Sequence, residues 1–204
     1  MRYSAFVLLA AFAIGSADAH AANPYEVFRL GMSEAEIVAA AEAHGGRILT
    51  PEELQELKLV KSRKVDEFRT FFAEIPMEPH QAMGYFALER DHLQQIVFNY
   101  FVWLDRTPPG ICSAILEQAT REIGEVYGIP SNSDAFAGTD AEFRGKTVNW
   151  STDEHTVSLF TTDAPPHSSP GSCDIVQAHV FAGTQTKREA FDARLSEAVQ
   201  SAER

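Results

Sequence analysis

The sequence is short of cysteine, of cations and of the local motifs that announce common active sites, and each shortage excludes something. Only two cysteines occur, Cys112 and Cys173, and they form no Cys-x-x-Cys pair. Gly-x-Ser-x-Gly, His-Glu-x-x-His and a phosphate-cradling glycine loop are missing too, so serine-hydrolase, zinc-protease and nucleotide-binding chemistry have no local signature. Lys and Arg number 17 against 29 Asp and Glu, a formal charge of −12. A surface this acidic repels phosphate and anionic lipid, which argues against nucleic acid as a partner and suits a basic protein or a cation. Beyond residue 21 no apolar run is long enough to span a bilayer.

What is present begins with a targeting signal. Arg2 precedes an apolar run from Ala5 to Ile14, and small residues follow with two overlapping Ala-x-Ala sites, Ala17 to Ala19 and Ala19 to Ala21. This is the pattern of a secretory signal peptide over residues 1–21, cleaved after Ala19 or Ala21. No Cys follows the run at the position a lipoprotein signal requires. The mature chain is therefore expected to be periplasmic or secreted, with no membrane anchor. Cleavage removes Arg2 and Asp18 together, so the net charge is unchanged. The roughly 180 remaining residues suffice for one domain, or for two small units sharing a core. In an oxidising compartment the even cysteine count reads as a Cys112–Cys173 disulfide, which would stabilise the fold by about 4 kcal/mol in the chain-entropy model.

The middle of the fold is expected at Leu93 to Leu104, the most apolar run of the mature chain. β-Branched and aromatic residues fill it, and Pro108-Pro109-Gly110 ends it, as a buried strand is punctuated. Alternation places Leu93, Val97, Phe101 and Trp103 on one side and Ile96, Phe98, Tyr100 and Val102 on the other, so both faces need cover. Upstream, an extended stretch from Asn23 to Phe28 leads to a helix opened by the capping box Ser33/Glu36 and closed by Gly45-Gly46. Thr50 and Pro51 open a second, shorter helix running to about Leu59. Lys58, Lys61, Arg63 and Lys64 then read as cations near a helix C-terminus. The period changes to two from Asp66, giving strands over Phe68 to Ile75 and Met83 to Glu89 before the central one.

Past the prolines, Ile111 to Tyr127 is helical, with Ile115, Leu116, Ala119, Ile123 and Val126 on one face and Gly128-Ile129-Pro130 as the stop. Ser131 to Gly145 reads as a loop, followed by short strands over Thr147 to Trp150, His155 to Thr161 and Asp174 to Phe181. Ser33 and Ser113 stand 80 residues apart near the starts of the two main helices. The chain thus reads as an α+β fold of two degenerate repeats, residues 22–106 and 107–184, forming one antiparallel sheet with helices packed on one face. Residues 185–204, with Phe191, Leu195 and Val199 spaced four apart, either dock as a helix or fray. With Leu30-Gly31-Met32-Ser33-x-x-Glu36-Ile37 opening the first helix and Gly128-Ile129-Pro130 closing the third, this order resembles the small periplasmic modules of the outer-membrane assembly lipoprotein type and the tandem modules of the β-lactamase inhibitor protein type. The resemblance implies a binding module without catalysis, whose partner contacts lie on the open face of the sheet.

Candidate chemistry is sparse. Asp153-Glu154-His155 could bind a cation or share a proton, but a polar hairpin turn calls for the same residues. His80 and His167 read as loop residues beside proline, and His179 as a sheet-face residue hydrogen-bonded to a neighbour. Asn149-Trp150-Ser151 matches a glycosylation sequon whose Trp and strand position mark it as fortuitous. In the second unit Val157, Leu159, Val176, Ala178 and Val180 share the phase that should meet the helices. The opposite phase carries Phe160, Gln177, His179 and Phe181, a mixed polar and aromatic face suited to partner recognition or to cover by the tail. The leading expectation is an exported binding module that engages an envelope or secreted protein through this face. The alternative is a small periplasmic hydrolase or lyase with its site near His155 or His179. No cofactor and no metal ligand set is expected.

Overall fold

The computed structural model describes residues 23–56, 63–77, 80–100, 111–137, 144–163 and 173–202. Residues 1–21, where the sequence implies a signal peptide, Lys58, Lys61, the end of the shorter helix, the run from Phe101 to Leu104, and His167 lie outside the described residues. The helices are α1 (Pro24–Val27), α2 (Glu34–Ala43), α3 (Pro51–Glu56), α4 (Ile111–Tyr127) and α5 (Gln185–Ala202). The strands are β1 (Arg47–Ile48), β2 (Arg63–Val65), β3 (Phe68–Met77), β4 (His80–Glu89), β5 (His92–Tyr100), β6 (Asn132–Ala137), β7 (Arg144–Ser151), β8 (His155–Asp163) and β9 (Cys173–Ala182). All nine join one sheet in the order β1-β3-β4-β5-β9-β8-β7-β6, with β2 also paired to β3. Every pairing is antiparallel. The class is α+β, as the sequence implies.

The local signals act where they were read. Ser33 and Glu36 form a reciprocal capping box at the start of α2. The helix ends in a Schellman arrangement, Gly46 N donating to Ala41 O at 2.8 Å and Gly45 N to Glu42 O at 3.0 Å. Gly45 takes φ +77°, a value that costs a side-chain-bearing residue and costs glycine nothing. Asn23 to Val27 differs from expectation: Asn23 Oδ1 accepts from Tyr25 N at 3.0 Å and Pro24 sits in the first turn, so the stretch closes into one helical turn, α1.

Two strand features depart from simple alternation. At β4/β5 the register shifts between Ala87 and Leu88, whose partners are Gln95 and Leu93, so Gln94 is an extra residue. This bulge moves Leu93 onto the same side as Ile96, Phe98 and Tyr100, not the side of Val97. The other departure is β6, in the span read as a loop. Its composition has little strand propensity, but β7 supplies a full ladder from Asn132↔Asn149 to Ala137↔Arg144. His80 likewise opens β4, opposite Met77, and does not sit in a loop.

The main core lies between the sheet and α1, α2 and α4. Tyr25, Phe28, Ile37, Ala41, Ile115, Ala119 and Ile123 pack there against Phe71, Ile75, Phe86, Phe98, Trp150, Val157, Leu159, Val176, Ala178 and Val180. Val126, placed on the apolar face of α4 by spacing, is 36% exposed. To this helix layer the structure adds cover on the opposite face. Leu49 and Leu54 at α3 lie over Phe72 and Met83. Phe191 of α5, with Leu195 and Ala198 partly buried beside it, lies over Phe68, Ala87 and Phe181. The C-terminal segment is therefore a docked helix, and its contacts span both halves of the chain.

Candidate functional site

The second face of the sheet is built by alternation, so its occupants can be read across the ladders. One row runs Phe160 (β8), Gln177 (β9), Asn99 (β5). The next runs Asn132 (β6), Asn149 (β7), Ser158 (β8), His179 (β9), Val97 (β5). Asn99, Asn149, Ser158, Phe160, Gln177 and His179 are partly exposed, whereas Val97 is buried. Side chains link along the rows: Asn149 Nδ2 donates to Asn132 Oδ1 at 2.8 Å, Ser158 Oγ donates to Asn149 Oδ1 at 2.8 Å, and Gln177 Nε2 donates to Asn99 Oδ1. Phe160 lies on the His179 ring with centroids 5.1 Å apart.

His179 is the centre of this strip. Arg188 of α5 places Nη2 at 2.9 Å from Nδ1, and Gln177 Oε1 lies 3.3 Å from Nε2. Guanidinium only donates, so Nδ1 must be the acceptor and the imidazole proton sits on Nε2, facing Gln177. Burial, and then the Arg188 charge, push the His179 pKa down from 6.5 to about 4. At neutral pH the ring is uncharged with both nitrogens engaged, which makes it a positioning element and a poor general base. Arg188 continues to Asp192, Nε to Oδ2 3.8 Å, one helical turn on. Burial raises the Asp192 pKa, and Arg188 and a hydrogen bond from buried Gln95 oppose that shift.

Of the four residues expected to share a partner face, the structure brings Phe160, Gln177 and His179 together and removes Phe181. Phe181 is 2% exposed beneath α5, its ring 5.5 Å from that of Phe191. The open face is thus partly occupied by the chain's own C-terminal helix. Arg188, Asp192, Gln95 and Asn99 belong to the strip without having been singled out, and Asn149, noted only within a fortuitous sequon, belongs to it too. Only the i,i+4 spacing of Arg188 and Asp192 carried a local signal.

The other candidates are placed elsewhere. Asp153 and Glu154 are exposed in the β7–β8 turn, as a polar hairpin requires, and His155 turns back onto Tyr127 with ring centroids 4.7 Å apart. Thr152 Oγ1 lies 3.2 Å from His155 Nδ1, and burial lowers the His155 pKa. Cys112 lies in the first turn of α4 and Cys173 opens β9 opposite Asp163; their side chains are outside the described residues. On the helix-covered face, Tyr25 and Tyr100 share a 2.5 Å hydroxyl contact. Burial raises the pKa of both tyrosines and of nearby Glu122, whose Oε1 accepts from Gln118 at 2.8 Å. Among the described residues no group of three or more His, Cys, Asp or Glu is placed to hold a metal ion. In comparisons with known proteins, no family model, no curated protein and no solved structure matches the chain.

Proposed function

We propose that the mature chain is an exported, non-catalytic binding module that engages a protein of the envelope or the secreted space through the β7–β8–β9 part of the second face. The observation that carries this reading is the strip itself. Phe160 is a partly exposed aromatic with Thr147 and Gln177 opposite it on the neighbouring strands, Ser158 beside it on its own strand and neutral His179 against its ring. An aromatic anchor inside a ring of hydrogen-bonding groups is the composition of binding hot spots. The alternative hydrolase or lyase draws no support from His179, whose two nitrogens are occupied. The resemblance to periplasmic tandem modules points the same way, and so does the signal-peptide pattern of residues 1–21. Within this reading Cys112 and Cys173 form a disulfide that clamps α4 to β9, and thiol labelling of the unfolded, unreduced chain should modify neither.

The direct test is capture from envelope extract by the immobilised chain beginning at residue 22, set beside a Phe160→Asp variant of matched thermal stability. A defined protein retained by the first and lost at least tenfold from the second is the expected result. Identical retention by both would refute the placement of the surface, and retention of nothing would refute the reading.

A further inference from the structure

α5 holds its place differently from the other main helices. α2 buries Ile37 and Ala41 and α4 buries Ile115, Ala119 and Ile123, whereas α5 fully buries Phe191 alone among its 18 residues. The rest of its hold comes from partly buried Leu195 and Ala198 and from cations on either side of Phe191. Arg188, three residues before it, donates to His179, and Arg194, three residues after it, pairs with Glu89 and approaches Glu67 at 3.8 Å. The trough underneath is shaped to this pattern. Its apolar floor is Phe68, Ala87 and Phe181, with the Phe191 ring edge-on to Phe68 at 5.7 Å. One end offers two carboxylates, Glu67 and Glu89, and the other an imidazole lone pair. Both ends accept hydrogen bonds from the helix arginines, and at the His179 end Gln95 donates in return to Asp192 of α5. The trough is continuous with the proposed partner face, because His179 touches Arg188 on one side and Phe160 on the other.

We infer that this trough is a docking site for a partner's helix with the chemistry of α5, an aromatic side chain with an arginine three residues before and three after it, and that α5 is the internal occupant such a helix displaces. The inference rests on the reading of the second face as a protein-binding surface and names the kind of partner it takes. A helix without the arginines would leave Glu89 and the His179 lone pair facing it unpaired, and one without the aromatic would leave the floor between Phe68 and Phe181 unfilled. Displacement of α5 would uncover Phe68 and Phe181, with the Ser158–His179 rung between Phe181 and Phe160.

The test is a fluorescence titration of a labelled peptide with the sequence of residues 185–202 against the whole chain from residue 22. Wild type is compared with Phe191→Ala, which unseats the internal helix. The variant should bind the peptide at least tenfold more tightly than wild type, and a peptide carrying Phe191→Ala, or Arg188→Glu with Arg194→Glu, should not bind it. A second variant, Arg194→Glu in the chain, loosens α5 from its charged end while keeping the apolar contacts, and should shift affinity in the same direction even if Phe191→Ala does not fold. A folded variant with faster amide exchange in α5 and no peptide binding overturns the inference. So does a wild type that binds as tightly as the variants. No partner protein is present in the titration. A positive titration with an empty capture experiment therefore removes only the partner reading, and the reverse removes only the trough.

Discussion

At the scale of single residues the account turns on His179. Its folded pKa of about 4 lies below the ordinary value of 6.5. A group depressed in this way contributes stability that is complete above pH 6.5 and is lost as pH falls toward 4, because the unfolded chain takes up the proton first. The full loss is about 3 kcal/mol, from roughly 1.4 kcal/mol per pKa unit. Urea denaturation of wild type should show this decline across that window. His179→Gln keeps a polar side chain without the titration, and should flatten the profile while costing about 1 kcal/mol at neutral pH for the imperfect hydrogen bonds. Equal acid sensitivity in both proteins would show that His179 is not the titrating group. Strand alternation made it legible that His179 faces away from the main core and bonds a neighbour. That its partner would be Arg188 was not legible, because the two meet only once a separate helix folds back onto the sheet. The placement of Leu93 failed for a related reason: a single extra residue, Gln94, reverses the phase, and no residue type marks it.

At the scale of elements, legibility followed the strength of local signals. α4 has an uninterrupted apolar face and a Gly-x-Pro stop, and its span is the one its sequence implies. β6 has neither alternation nor β-branched residues and exists because β7 offers it a ladder, which no local window contains. α5 lies between these cases, with apolar residues spaced four apart but only one that is fully buried. An isolated helix of this length is marginal in water, so α5 persists through docking. Burying one Phe gives about 2 to 3 kcal/mol, and exposed pairs such as Arg194–Glu89 add well under 1 kcal/mol each. α5 should therefore open well before the whole fold does. Hydrogen exchange by mass spectrometry should find its amides exchanging through a local opening, faster than those of α4 and β5, and Phe191→Ala should abolish their protection while leaving β5 slow. Coincident loss of protection in α5 and β5 would mean that the tail is integral to the cooperative unit.

At the scale of the whole molecule, the junction of β5 with β9 carries the two halves into one sheet, with residues 95–100 paired to 176–181. That junction makes both faces continuous and creates two environments. One face is closed by α1, α2 and α4 over a large apolar core. The other is covered by α3 and α5 over part of its width and presents Phe160, Gln177 and His179 on the remainder. The sheet class and, in the second half, the face that meets α4 could be read from pattern, because burial imposes a period on the sequence; the placement of helices α3 and α5 on the other face could not. The cover over Phe181 could not, since a sheet face reads the same whether solvent, a partner or the chain's own tail lies on it. The most direct measurement is photo-crosslinking from single positions in the protein expressed in its own cells, with a benzoylphenylalanine replacing Phe160 and, as a control, exposed Glu117 on α4. A discrete adduct from position 160 that is missing from position 117 is the result this account predicts. No adduct from 160, or the same adducts from both positions, would contradict it.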